Sequence, residues 1–244
     1  MRLLLLWPAL CLAADRGAGQ LAKHIEENVS PGDVRAALAA FDTFSEQYRL
    51  GMHLGAEKGA LIESAVHQGL PAAGPGSVLE TGCHAGDGTL RAMSALSSRE
   101  GSTIVSTENN GKWLSAAKRV VGHATKGLNI NFVPVRLKED AAFDAFLEAL
   151  EVRRGITEFS TVIFDQNPTR FLEHLKALLV RRFVRRGATL YVDNAKTKAP
   201  VLEQYLDFVS FESGNGFNTT LIDVNEPYAD TVAVSTFFGL NQEL

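Results

Sequence analysis

Three stretches of the sequence carry residues whose types and spacing can do chemistry. The first is Glu80-Thr81-Gly82-Cys83-His84-Ala85-Gly86-Asp87-Gly88-Thr89. Glycines let the backbone approach a ligand closely, and a helix that starts there presents unpaired N–H groups. The spacing is E-x-G-x-x-x-G rather than the G-x-G-x-x-G that holds a pyrophosphate. A ligand without phosphates, gripped by amino-acid and ribose parts, fits it; a tight strand–helix turn with no ligand is the plainer alternative. The second stretch is Glu108-Asn109, about 20 residues past the glycines, where an acidic side chain accepts hydrogen bonds from a ribose. A surface carboxylate is the other reading. The third is a pair of apolar runs that end in oxygen donors, Phe164-Asp165 and Val192-Asp193-Asn194. Three such donors suit Mg²⁺, a hard ion that keeps positions for water or substrate. A helix N-cap for Asp165 and turn residues for Asp193-Asn194 would explain the same letters.

The elements that must position these residues alternate. Short apolar runs cover 77–80, 103–107, 130–135, 161–165 and 188–193, and helical patterns lie between them near 87–98, 111–121, 139–152 and 170–182. Continuous apolar runs are strands buried on both faces, and strand–helix alternation builds a doubly wound α/β sheet. A helix over 199–208 precedes two final runs, 219–224 and 231–238. The connection between those two is too short for a parallel crossover, so the last strand is expected antiparallel. Ahead of the first strand, Val34, Ala37, Leu38, Phe41, Phe44 and Tyr48 repeat at helical spacing, and a second helix is predicted over 57–68.

Composition bounds the rest. A hydrophobic fraction of 45% over 244 residues is enough for one ordinary core, and the net charge of -4 argues against a nucleic-acid substrate. Arg181, Arg182, Arg185 and Arg186 read as a solvated helix C-terminus. His24, His67, His123 and His174 read as surface residues. The apolar run after Arg2 is too short to span a bilayer and reads as a cleaved signal over 1–14. This implies the secretory pathway or the exterior; without cleavage the cytoplasm is the alternative. Cys83 then stands alone, and Asn28 and Asn218 lie in glycosylation sequons. The expected organisation is a signal at 1–14, a helical segment at 15–50 and the main domain at 51–244.

The ordered set of motifs resembles the catechol O-methyltransferase family. Met52-His53-Leu54-Gly55-Ala56-Glu57-Lys58-Gly59 is similar to the segment that family places over its cofactor, and Val78–Gly82 and Ser106–Asn109 are similar to its glycine loop and ribose-binding strand end. Phe164-Asp165 and Val192-Asp193-Asn194 resemble its magnesium ligands. Thr219–Asp223 resembles the late segment whose acidic residue touches a catechol hydroxyl. The resemblance implies a seven-stranded, mostly parallel Rossmann-like methyltransferase sheet whose last strand is antiparallel. It implies S-adenosylmethionine bound by Met52, His53, Leu54, Glu80, Gly82, Gly86, Gly88, Thr89, Glu108, Asn109 and Asp165. It further implies Mg²⁺ on Asp165, Asp193 and Asn194, Asp223 at the substrate, and a small catechol or phenol as acceptor.

The sequence also departs from the family. Gln166, Asn167 and Pro168 stand where the family has His, Trp and a general-base Lys, and proline cannot take a proton. Lys196, Lys198 and His84 are the candidates to replace that base; a chain that binds cofactor without transferring methyl is the alternative.

Overall fold

The computed structural model describes residues 7–138 and 142–240, with side chains from residue 17 onward. The element order is α1 (Trp7–Asn28), α2 (Val34–Tyr48), α3 (Gly55–Gly69), β1 (Ser77–Thr81), α4 (Asp87–Leu96), β2 (Ser102–Glu108), α5 (Gly111–Ala124), β3 (Ile130–Arg136), α6 (Phe143–Arg154), β4 (Phe159–Phe164), α7 (Phe171–Val180), β5 (Val184–Val192), α8 (Ala199–Phe208), β6 (Phe217–Val224) and β7 (Asp230–Phe237). Residues 1–6 of the expected signal, and residues 139–141 at the start of the helix predicted over 139–152, lie outside the described residues. From Trp7 the backbone is helical and runs on as α1. Among the described residues no helix is long and apolar enough to cross a membrane.

The strands form one sheet in the order β3-β2-β1-β4-β5-β7-β6. β1 to β5 are parallel, while β7 runs antiparallel to both β5 and β6. Side chains alternate across a strand, and here both alternations are apolar because both faces are covered. Val78, Ile104, Ile163 and Tyr191 pack with α1 to α5 on one face. Leu79, Val105, Val162 and Leu190 pack with α6 to α8 on the other.

Two sequence readings need correction. Only Arg181 and Arg182 follow α7; Arg185 and Arg186 belong to β5, and Arg185 donates to the Gly69 carbonyl at 2.9 Å. That strand starts earlier than its apolar run because Phe183 and Val184, both buried, already pack in the core. His174 is buried rather than superficial, stacked on Phe143 with ring centroids 3.8 Å apart and planes at 7°. It shares the inward face of α7 with Phe171, Leu175 and Leu178.

Candidate functional site

The chain order leads from β1 outward to β3 and then returns to β4 on the other side of β1. The crevice at such a reversal, beyond the carboxyl ends of the strands, is where open α/β sheets bind ligands. A cavity of about 440 Å³ opens there. Its wall takes Gly82 from the end of β1, Thr107 and Glu108 from β2, Asp165 from β4, and Asp193 and Asn194 from β5.

The β1 turn is built around backbone proximity. Gly82 has φ +89°, its N–H donates to the Thr107 carbonyl at 2.9 Å, and a Cβ on it would overlap the Asp165 carbonyl. This contact brings the glycine turn against the residue after β4. Glu108 is held by two backbone N–H groups, His84 at 2.9 Å and Asn110 at 2.8 Å. A carboxylate has about four acceptor positions, so ribose hydroxyls can share it. Met52, His53, Leu54 and Asn109 also line the cavity, and the Leu54 N–H is anchored to Asp87 at 2.9 Å. Asp87 in turn pairs with Arg91, which grips Asp42 of α2 at 2.7 Å.

Four of the predicted cofactor contacts sit behind this wall. Glu80, Gly86, Gly88 and Thr89 do not line the cavity. The Glu80 side chain turns under the loop, accepting from Thr89 and, at 2.7 Å, from Ser106. Gly86 backs onto Ala117 and Val121, and Gly88 onto Glu80. These residues shape the turn behind the cavity wall.

Burial pushes the Glu80 carboxyl up to about 7 against an ordinary value of 4.5, although both hydroxyls oppose the shift. Between those values the unfolded chain has released this proton and the folded chain has not. The contribution of Glu80 to stability is therefore full below about pH 4.5 and lost as the pH rises through 7. Glu80→Gln should flatten the loss by on the order of 3 kcal/mol across that window. Urea unfolding of both proteins at acid and at mildly alkaline pH measures it, and equal pH slopes would count against the assignment.

Asp165, Asp193 and Asn194 line the same cavity. Burial and the Asp193 charge together hold the Asp165 carboxyl well above the carboxylate range. Burial also raises Asp193, although Lys58 opposes the shift. Two carboxylates that disfavour each other's ionisation on one wall fit a hard cation, which lets both ionise. The third donor is an amide: Asn194, at φ +63°, sends Nδ2 to Asp193 at 2.7 Å and receives the Tyr228 hydroxyl on Oδ1 at 2.9 Å. Among the described residues no group of three His, Cys, Asp or Glu side chains is placed to hold a metal; this set is two carboxylates and an amide.

Sequence reasoning missed the residue beneath this set. Lys58 is 1% exposed, with Nζ 2.8 Å from Asp193 and 3.0 Å from Asp230. The Tyr228 hydroxyl lies 3.2 Å from the same nitrogen. The signal was available: Leu54, Lys58 and Ile62 fall on one helical face, and a lysine on an apolar stripe is a paired lysine. Tyr228 and Asp230 come from a loop and a strand start with no comparable pattern.

Asp223 stands apart from the other expected site residues. It lies on β6, the edge strand, where its carboxylate accepts from the Thr231 hydroxyl at 2.6 Å and does not reach the cavity. Of the base candidates, Lys196 is exposed and outside the cavity, while Lys198 lines it. His84 lines it too, but burial and the nearby His53 push its imidazole down to about 4, and its ring lies on Trp113 at 3.6 Å. Where the family's base would stand, Pro168 opens a one-turn 3-10 segment ending at Arg170.

The seven-stranded sheet matches that of Rossmann-like methyltransferases of known structure. The chain's sequence relatives are O-methyltransferases. The chain is 27% identical over 190 residues to catechol O-methyltransferase B of Danio rerio, covering 78% of this chain and 67% of that one. It is 24% identical over 221 residues to a probable O-methyltransferase of Mycobacterium tuberculosis, covering 88% and 90%. No family model matches the chain. Among solved structures, an O-methyltransferase from Bacillus cereus in complex with SAH superposes with TM-score 0.64 at 15% identity, over 89% of this chain and 97% of that one. The O-methyltransferase TomG from Streptomyces achromogenes, in complex with SAM, gives 0.63 at 17%, over 90% and 96%.

Proposed function

We propose that this protein transfers a methyl group from S-adenosylmethionine to a hydroxyl of a small catechol-like diol, with Mg²⁺ held by Asp165, Asp193 and Asn194. The observation that carries the reading is the shared cavity: the Glu108 end and the Asp165–Asp193 end face one space of about 440 Å³. Cofactor and acceptor can therefore meet without a large movement, and alignment of two reactants supplies much of the acceleration in such transfers.

The chain's own groups divide the work. Glu108 and the Gly82 turn hold the cofactor's sugar and backbone-facing parts, and Met52 to Leu54 cover it. Asp165 and Asp193 aim their carboxylates at the acceptor end, with Lys58 and Tyr228 fixing Asp193 and Asn194 from below. A bound Mg²⁺ would lower the pKa of an acceptor hydroxyl and orient its oxygen. Pro168 leaves no lysine at the family's base position, which favours a second reading: cofactor binding without transfer.

The test is methyl transfer from S-adenosylmethionine to catechol, read by product mass, with Mg²⁺ and with chelator. Chelator-sensitive methylcatechol is the expected result. Cofactor binding with no methylated product from any diol would leave the second reading standing and remove the first.

A further inference from the structure

Beside the oxygen donors the cavity wall is short of apolar surface. Met52, Leu54 and Leu137 line the cavity, but they stand at the cofactor end, where the Leu137 N–H donates to the Glu108 carbonyl at 3.1 Å. Of the imidazoles on the wall, His84 lies on Trp113 and His174 is stacked on Phe143, so each has one face already covered. Among the described residues Tyr228 is the one side chain with a six-membered aromatic ring that lines the cavity.

The ring is held where it is. Tyr228 belongs to the loop between β6 and β7, in which the N–H groups of Asn225 and Glu226 both donate to Glu57, at 2.6 and 3.2 Å. Beyond it in the chain, Asp230 meets Lys58 at 3.0 Å and accepts the Thr197 N–H at 3.0 Å. The Tyr228 hydroxyl donates to Asn194 Oδ1 at 2.9 Å. Lys58 Nζ lies over one face of the ring, 4.3 Å from its centroid, where the ring's quadrupole attracts a cation. Lys58 is 1% exposed and Tyr228 is 46% exposed. The accessible part of the ring is therefore the side away from Lys58, and a rotation that hid it would break the contacts to Lys58 and Asn194.

An acceptor that brings its hydroxyls to Asp165, Asp193 and Asn194 comes beside this ring, because the Tyr228 hydroxyl touches Asn194 itself. A flat aromatic body gains offset or edge-to-face contact with such a ring, beyond what its buried area returns. We infer that Tyr228 is a specificity-determining residue, its ring being the wall against which the ring of the acceptor lies. The inference rests on the proposed transfer to a catechol-like diol and deepens it with a residue that no sequence motif marked.

The test is equilibrium binding, which does not need turnover. Calorimetric titration with catechol, in the presence of S-adenosylhomocysteine and Mg²⁺, compares Tyr228→Phe with Tyr228→Leu. Both variants lose the hydroxyl, so the difference between them reports the ring. The leucine variant should bind catechol about fivefold more weakly than the phenylalanine variant, the return of one aromatic pair. Titration of both with S-adenosylhomocysteine alone shows that the cavity is formed. The wild type gives a second reading. Catechol protons should show nuclear Overhauser contacts to a tyrosine ring, and Tyr228 is the one tyrosine lining the cavity among the described residues. Equal affinities in the two variants, tighter binding by the leucine variant, or no contact to a tyrosine ring from bound catechol would each overturn the inference while leaving the catechol reading in place. Catechol that did not bind the wild type at all would remove that reading and the wall with it.

Discussion

Replacing Lys58 by methionine should cost about 3–5 kcal/mol of stability, the range for breaking a buried ion pair from one side. The side chain is 1% exposed and stands between Asp193 and Asp230, which are 5% and 1% exposed. Without the ammonium, two buried carboxylates are left without their cation, and one of them also repels Asp165. Burial raises Asp230, but Lys58 together with the Thr231 and Thr197 N–H groups holds it below the ordinary carboxylate range, so the lysine is what keeps it ionised. Pairing Lys58→Met with Asp230→Asn should recover part of the loss, because the orphaned charge goes with it. Urea or thermal unfolding of the two single variants and the double variant measures the coupling. Strict additivity would mean that Lys58 acts through packing alone.

The second large effect is opposite in sign for stability and activity. Asp165→Asn should lower kcat/KM for methyl transfer by at least ~10²-fold, the scale for removing a positioned electrostatic group. The same substitution should stabilise the cation-free protein by about 1–2 kcal/mol, since a neutral amide no longer has to be ionised beside Asp193 and Glu80. The raised Asp165 carboxyl costs stability as the pH rises, so the gain should grow toward alkaline pH. Unfolding without divalent cation and with excess Mg²⁺ separates the two effects. A variant that is both inactive and less stable than the wild type would place Asp165 among structural residues.

How much of this was legible in the sequence follows from where the information lies. The parallel strands were readable because burial on both faces makes them continuous apolar runs, as in Val78-Leu79 or Val162-Ile163-Phe164. The antiparallel last strand was readable from a connection length. The insertion of β7 between β5 and β6 was not, because pairing order is a tertiary fact. Strand-end residues such as Glu108, Asp165 and Asp193 could be assigned to the crevice because the fold puts every parallel strand end there. Glu80 and Thr89 could not be distinguished from true wall residues, since one residue of rotation decides whether a side chain meets the ligand or the underside of the loop. His174 was readable in principle, its spacing with Phe171 and Leu178 being that of an inward face.

Asp87 joins two parts of the molecule that are far apart in the chain. It fixes the Leu54 N–H over the cavity, and through Arg91 it is tied to Asp42 on α2. A shared anchor makes the order of the two parts mutual. Whatever a bound cofactor does to quiet the segment above it must be felt as slower amide exchange in α2. By thermodynamic reciprocity, whatever loosens α2 must weaken cofactor affinity by the same free energy. Helix α2 is in this sense part of the binding equilibrium, although none of its residues lines the cavity.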